Sequence, residues 1–373
     1  MKNNRPKTLL ISSNYAWTVY NFRLGLIRRL KQKGYRIIIL TQFDGFESHL
    51  IKEVDEVKSL FISRKGINPF EDMITMFHFI KSIMVFKPDA LLLFTVKPVI
   101  YGSLAARLTK VKSIAMITGL GTAFISDSWI TKMVKTLYRV ALKSSSTTFF
   151  QNVNDKDLFL KNRMVKKNIW KITPGSGIDL NQFKYIDLPD ESELIFLFVG
   201  RMLGDKGVRE FVNAARVINT KYSHIRFQIL GPAGAENRTA ISDSEIEKWT
   251  QEGVVEYLGE TDDVTDFLRK ASCIVLPSYR EGTSKALLEG AAAGRPLVAT
   301  NVPGCKEIIE DGKTGFLCQV RDYKDLAIKI ENMIKLSHKS RQMMGKHGRK
   351  KVEKEYDQEI VSNLYLEAIE SAI

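Results

Sequence analysis

Short apolar runs alternate with longer amphipathic stretches along the whole chain. In the first half the runs fall at 8–12, 35–40, 57–62, 90–95, 113–118, 147–151 and 168–173. Most are near-continuous in Ile, Leu, Val or Phe, as expected of strands buried on both faces of a sheet. Between them lie patterns of helical length, such as 21–33, 70–86 and 129–143. The rhythm restarts with runs at 194–199, 225–230, 254–258, 273–276, 297–300 and 315–320. Strand and helix in alternation predict an α/β chain with two parallel, doubly wound sheets, each Rossmann-like. The turn-rich stretch 174–190 reads as the connection between them, 335–355 as a charged polar segment, and 357–373 as a helix.

The length of 373 residues agrees with two domains at about 150 residues each. Charge is the unusual property. Residues 1–180 hold 29 Lys+Arg against 12 Asp+Glu, a balance of +17, while 181–373 hold 27 against 30, a balance of −3. Such asymmetry suggests a polyanionic partner: nucleic acid, an anionic membrane surface or a phosphorylated ligand. Cys273, Cys305 and Cys318 are odd in number and form no CxxC, which excludes a disulfide scaffold and a Cys-rich zinc site and fits a reducing compartment. No apolar stretch reaches the roughly 20 residues of a spanning helix; the nearest, 83–96, is broken by Lys87, Pro88 and Asp89. The start is basic, but the apolar run after it is only a strand long, so no signal peptide is expected. The expectation is a cytoplasmic protein, soluble or peripheral.

Several familiar motifs fail. Gly119-Leu-Gly121 lacks the third glycine of a dinucleotide fingerprint, Gly312-Lys-Thr314 lacks the upstream glycine of a P-loop, and Gly282-Thr-Ser-Lys-Ala286 misses a hydrolase elbow. Asp155-Lys-Asp157 matches a loose metal-binding DxD, but Asn154 and Asp155 read better as a helix cap. Two features survive. Gly200-Arg-Met-Leu-Gly-Asp-Lys-Gly207 follows the strongest strand of the second half. It places Arg201 and Lys206 at a carboxyl strand end, where open α/β sheets bind ligands, and two cations there suit a diphosphate. Glu281-Gly-Thr-Ser-Lys-Ala-Leu-Leu-Glu289 follows the strand at 273–276. A helix starting near Ser284 would offer the amides of Gly282, Thr283 and Ser284 to an anion. Glu281 and Glu289 would accept hydroxyls of a sugar and a ribose, and the apolar surface around 286–293 disfavours a merely solvated Glu289.

Together with Gly290-Ala-Ala-Ala-Gly-Arg-Pro296, Asn301-Val-Pro-Gly304, Glu307 and Gly312-Lys-Thr-Gly-Phe316, these blocks resemble the C-terminal domain of glycosyltransferase family 4. The first half resembles the subgroup that extends lipid-linked capsule, O-antigen or protein-glycan precursors, through Arg64, Asn68-Pro69, Pro88-Asp89, Thr95, Lys97-Pro98, Tyr101-Gly102 and Thr118-Gly-Leu-Gly121. It departs from the family in carrying 12–17 where a glycine pair is common, and Thr118-Gly119 where a histidine is common.

The resemblance implies a GT-B fold with two Rossmann-like domains facing across a cleft: an acceptor-binding domain of residues 1–178 with helix 357–373 crossing back onto it, and a nucleotide-sugar domain of residues 179–356. It implies a retaining transferase that needs neither metal nor cofactor. Carried over by position, Arg201 and Lys206 would hold the diphosphate and stabilise departing UDP, and Glu281 would contact the donor sugar. Glu289 would take the ribose, and Gly282, Thr283, Ser284 and Leu258 would complete the donor site. The donor phosphate is one candidate base for the acceptor hydroxyl. Asn14, Lys97, Thr118 and Gly119 are the acceptor-side candidates. The expected reaction moves an N-acetylhexosamine, N-acetylgalactosamine first, from a UDP-sugar to a polyprenyl-diphosphate-linked saccharide. A sugar-nucleotide epimerase or hydrolase on the same fold, or a transferase using UDP-glucose or UDP-galactose, is the alternative.

Two first-half stretches could meet a membrane. Lys132, Lys135, Arg139 and Lys143 alternate with apolar residues along 129–143, as in a basic amphipathic helix on an anionic leaflet, or in a core helix with a solvated face. The stretch 70–86, dense in Phe, Met and Ile, reads first as a core helix. Nucleic acid is not expected, because aromatic-basic sheet motifs and a helix-turn-helix are lacking.

Overall fold

The computed structural model describes residues 5–62, 68–119, 129–190, 193–234, 237 and 239–373, with only the backbone of Ile130. The chain forms two compact units, Met1–Gly177 with Gln358–Ile373, and Ile178–Asp357.

The first unit is built on strands β1 (Thr8–Tyr15), β2 (Arg36–Gln42), β3 (Glu56–Ser59), β4 (Ala90–Phe94), β5 (Lys112–Ile117), β6 (Thr147–Phe150) and β7 (Trp170–Ile172). They pair in parallel in the order β3-β2-β1-β4-β5-β6-β7. The second unit contains β8 (Leu194–Val199), β9 (Ile225–Leu230), β10 (Glu256–Tyr257), β11 (Cys273–Leu276), β12 (Leu297–Thr300) and β13 (Gly315–Cys318), again all parallel, in the order β10-β9-β8-β11-β12-β13. Both sheets reverse direction once, between β1 and β4 and between β8 and β11. At such a switch point the loops leaving the carboxyl ends diverge and open a crevice.

The apolar continuity of the strands has a direct cause. Along β4, Leu91 and Leu93 enter the core on one side of the sheet, and Ala90, Leu92 and Phe94 the core on the other. The helix Gln358–Ala372 closes the second of these cores by packing on Ala16–Gln32. Its Tyr365 ring lies 4.6 Å from that of Phe149, and Arg23, almost fully buried, sits 4.1 Å over the ring of Phe94.

Some expectations change. The helix placed at 21–33 begins at Ala16, directly from β1. Its early amides are served by tertiary structure, since Trp17 N donates to the carboxylate of Asp44 at 3.1 and 3.2 Å, a cap no local pattern reveals. The edge strands β3 and β10 are shorter than their apolar runs. The charged segment 335–355 contains the helix His338–Glu355, capped by Ser337 and seated through Arg341, Met344 and Val352. Asp155 does lie at a helix start, but the cap is Asn152, whose Oδ1 accepts from Asp155 N at 2.8 Å while its amide reaches Asp155 Oδ2 at 3.2 Å. Arg64, Leu120 and Gly121 lie outside the described residues.

A buried cation anchors the 182–190 stretch within the second unit. Arg295, with no exposed surface, donates to the carbonyls of Ile186 (2.5 Å), Asp187 (2.9 Å), Ala271 (3.2 Å) and Ala293. Burial lowers its pKa to about 10, so it remains charged at neutral pH. Arg295→Ala should destabilise the protein by about 3 kcal/mol, because four carbonyls lose a charged donor. An unchanged midpoint in urea denaturation would remove this role.

Candidate active site

In the second unit three loops meet at the carboxyl edge of the sheet, and each is held by a backbone approach that excludes a side chain. Gly207 has φ +74°, and a Cβ there would lie 2.1 Å from Pro277 O. Gly304 has φ +83°, and its Cβ would lie 2.5 Å from Glu281 O. Only glycine accepts both the backbone conformation and the contact. Hydrogen bonds complete the clamp. Asp205 O accepts from Tyr279 N (2.9 Å) and Ser278 Oγ (3.2 Å), Glu281 N donates to Pro303 O (3.1 Å), and Ser284 N donates to Gly304 O (2.9 Å).

This clamp brings together two sequence-derived candidates. Lys206 Nζ lies 2.5 Å from Glu281 Oε1, with the side chains 24% and 12% exposed. Arg201, on the same loop, is exposed and has no carboxylate partner among the described residues. The helix Lys285–Ala292 starts as expected, with Ser284 as its cap accepting from Leu287 N. Ser284's amide is already committed to Gly304, so it cannot serve a ligand, and this corrects the expectation of three open amides. Glu289 is 6% exposed. Burial raises its pKa above the usual carboxylate range, against the pull of Lys285, whose Nζ is 3.4 Å away, while the Asp263 carboxylate adds to the rise. Asp263 belongs to the loop after β10, which begins at Leu258, half-buried and bonded through its amide to Ile229 O.

Sequence reasoning passed over Tyr279. Its hydroxyl donates to Glu210 at 2.6 Å, the guanidinium of Arg321 lies 4.6 Å over its ring, and burial beside Glu210 pushes its pKa up to about 12. The residue braces the loop that carries Glu281. Its position between β11 and Glu281 was the available signal.

In the first unit the acceptor-side candidates share the carboxyl edge of the sheet. Asn14, in β1, accepts the hydroxyl of Thr95 on Oδ1 (2.9 Å), and its backbone N–H donates to Thr95 Oγ1 at 3.1 Å. Thr95 has φ +67°, in the left-handed region, directly after β4. Thr118 and Gly119, half-buried, follow β5, with Gly119 at φ +122°. Lys97 is less open than expected. Its Nζ is 2.8 Å from Asp72 Oδ1, with only 16% of its side chain exposed, and Asp72 together with burial raises the pKa of the Tyr101 phenol. Lys132, Arg139 and Lys143 are exposed and Lys135 is half-buried; the helix ends at Ala141, leaving Lys143 in a short turn beyond it.

Comparison with known proteins identifies the family and the fold. Residues 8–152 match the family profile described as "Glycosyl transferase 4-like", and residues 182–351 that of "Glycosyl transferases group 1". Over 97% of its length the chain is 26% identical to the N,N'-diacetylbacillosaminyl-diphospho-undecaprenol alpha-1,3-N-acetylgalactosaminyltransferase of Campylobacter jejuni, covering 98% of that protein. It is 26% identical to the capsular polysaccharide biosynthesis glycosyltransferase CapM of Staphylococcus aureus, over 90% of each chain. Among solved structures, a glycosyltransferase from Rickettsia africae superposes with a TM-score of 0.79 at 18% identity, covering 99% of each chain. Anabaena HepE, solved with UDP and glucose, gives 0.80 at 15% identity over 98% of this chain and all of that one. The chain therefore belongs to the group 1, family 4-like glycosyltransferases and has their GT-B fold.

Proposed function

We propose that the protein is a retaining hexosyltransferase that moves N-acetylgalactosamine from its UDP conjugate to a polyprenyl-diphosphate-linked saccharide, at the cytoplasmic face of a membrane. The observation that carries the donor half is the clamped edge of the second unit. One loop brings two cations, and a facing loop and helix bring two carboxylates. The Campylobacter relative, similar over nearly the whole chain, supports the choice of donor sugar and acceptor class.

The sugar's anomeric carbon–oxygen bond to UDP breaks as the bond to the acceptor hydroxyl forms, and the hydroxyl proton leaves with a donor phosphate oxygen. Negative charge accumulates on the departing diphosphate. Arg201 and Lys206 supply fixed positive charge there, so the reaction needs no metal ion to neutralise it. Lys206 starts paired with Glu281. Donor binding exchanges that contact for phosphate and leaves Glu281 available to the sugar. Glu289 accepts the ribose hydroxyls. Asn14, Thr118 and Gly119 line the acceptor edge, with Lys97 held by Asp72, and the cations of 129–143 face an anionic leaflet.

A panel of UDP-sugars with a polyprenyl-diphosphate-linked acceptor tests this reading. UDP-N-acetylgalactosamine should give the fastest transfer, and the product should keep the α configuration of the donor. Release of free sugar or of an epimer without acceptor would refute it. Arg201→Ala or Lys206→Ala should lower kcat about 10²- to 10³-fold with the circular dichroism spectrum unchanged; full activity in either variant would remove the diphosphate assignment. Because burial raises the pKa of Glu289, its protonation and the loss of ribose contacts should begin at a higher pH than for a solvated glutamate. Calorimetry should show UDP affinity falling more steeply between neutral and mildly acidic pH in the wild type than in Glu289→Gln. Parallel curves would exclude the ribose role.

A further inference from the structure

The helix Pro69–Phe86 is apolar on two faces. It buries Thr75, Phe79 and Ile83 against the first unit's sheet. On the opposite side Phe70, Met73, Ile74, Phe77 and Met84 stand between 45% and 77% exposed. At about 100° per residue these five fall within a stripe roughly 120° wide. The core reading of this stretch is therefore right for one face only. An exposed stripe of large apolar side chains, interrupted only by Lys81, marks an interaction surface.

The stripe does not stand alone. Helix Ser103–Thr109 contacts both this helix and Trp129–Ala141. It adds Leu108, 64% exposed, and the third helix adds Trp129, 70% exposed. Exposed cations accompany the apolar residues: Lys81 within the stripe, Lys87 just past its end, Arg107 beside Leu108, and Lys132 one turn from Trp129. A protein-docking face would not need this basic setting, whereas an interfacial helix on anionic lipid combines both properties. No helix among the described residues is long and apolar enough to cross a membrane, so a helix of this kind would lie in the plane of the interface.

We propose that Pro69–Phe86 is a membrane-inserted element, lying along an anionic leaflet with Phe70, Met73, Ile74, Phe77 and Met84 among the acyl chains. The proposal rests on the lipid-linked acceptor reading above and deepens it. The helix starts beside the acceptor edge, where Asp72 holds Lys97 just past β4. Insertion therefore brings Asn14, Thr95 and Thr118 to the level at which a lipid diphosphate emerges from the bilayer. The basic residues of 129–143 then act at the rim of the contact.

The test compares the full chain with Phe70→Ser/Met73→Ser/Phe77→Ser in sedimentation with vesicles of phosphatidylglycerol and phosphatidylethanolamine. The triple variant should partition at least tenfold more weakly. Its thermal transition and its transfer to a water-soluble, short-prenyl acceptor should be unchanged, because all three side chains are exposed. Phe77→Trp should be quenched by lipids brominated in their acyl chains. Equal partitioning of triple variant and wild type overturns the proposal. So does a triple variant that loses self-association while still binding vesicles, which would make the stripe a contact between copies. Failure of the wild type to use either acceptor, with vesicle binding intact, would refute the acceptor reading and leave the insertion standing.

Discussion

The chemistry of the second unit depends on how closely its backbone loops approach one another. Gly207 lies against Pro277 and Gly304 against Glu281, at separations that leave no room for a β-carbon. The loop carrying Arg201 and Lys206 is thereby held against the loop carrying Glu281, and that loop against the turn after β12. The charged groups do not have to find each other. They are presented by backbone fixed by sterics and by hydrogen bonds such as Tyr279 N to Asp205 O. A site that stabilises developing charge gains from groups already in place, because little reorganisation remains when the bond breaks.

The ion pair between Lys206 and Glu281 has a second consequence. Each group is partly shielded from water, and each supplies the other's countercharge. A diphosphate arriving at this edge competes with a carboxylate for the same ammonium. In the donor-binding mode proposed above, this contact is given up and Glu281 becomes free to accept a sugar hydroxyl. Glu289 differs in kind. It sits on a helix that packs tightly on the sheet, since a Cβ on its neighbour Gly290 would meet Ile274 at 2.6 Å, and burial rather than pairing dominates its ionisation.

The first unit separates its tasks by face and edge. Its carboxyl edge holds the polar candidates around Asn14 and Thr95. One side is sealed by the C-terminal helix through Tyr365, and the helix covering part of the other side leaves an apolar stripe uncovered. The excess positive charge of the first half is distributed over this unit, whereas the two cations assigned to the donor lie in the near-neutral half.

The sequence by itself determined the class of each sheet, the strand positions near the sheet centres and the identity of the charged groups at the second edge. These follow from local causes: strands buried on both faces must be continuously apolar, and a Gly-Arg…Lys-Gly or Glu…Glu block shows its spacing directly. Tertiary structure alone decided that Lys206 pairs with Glu281, that the Ser284 amide is already engaged, that Asp44 serves the start of the first helix and that Asp72 holds Lys97. Each of these joins residues distant in the chain, and spacing carries no information about them. It also decided the fate of 70–86. Periodicity reveals which faces of a helix are apolar, but only the packing of neighbouring elements determines which of those faces is covered.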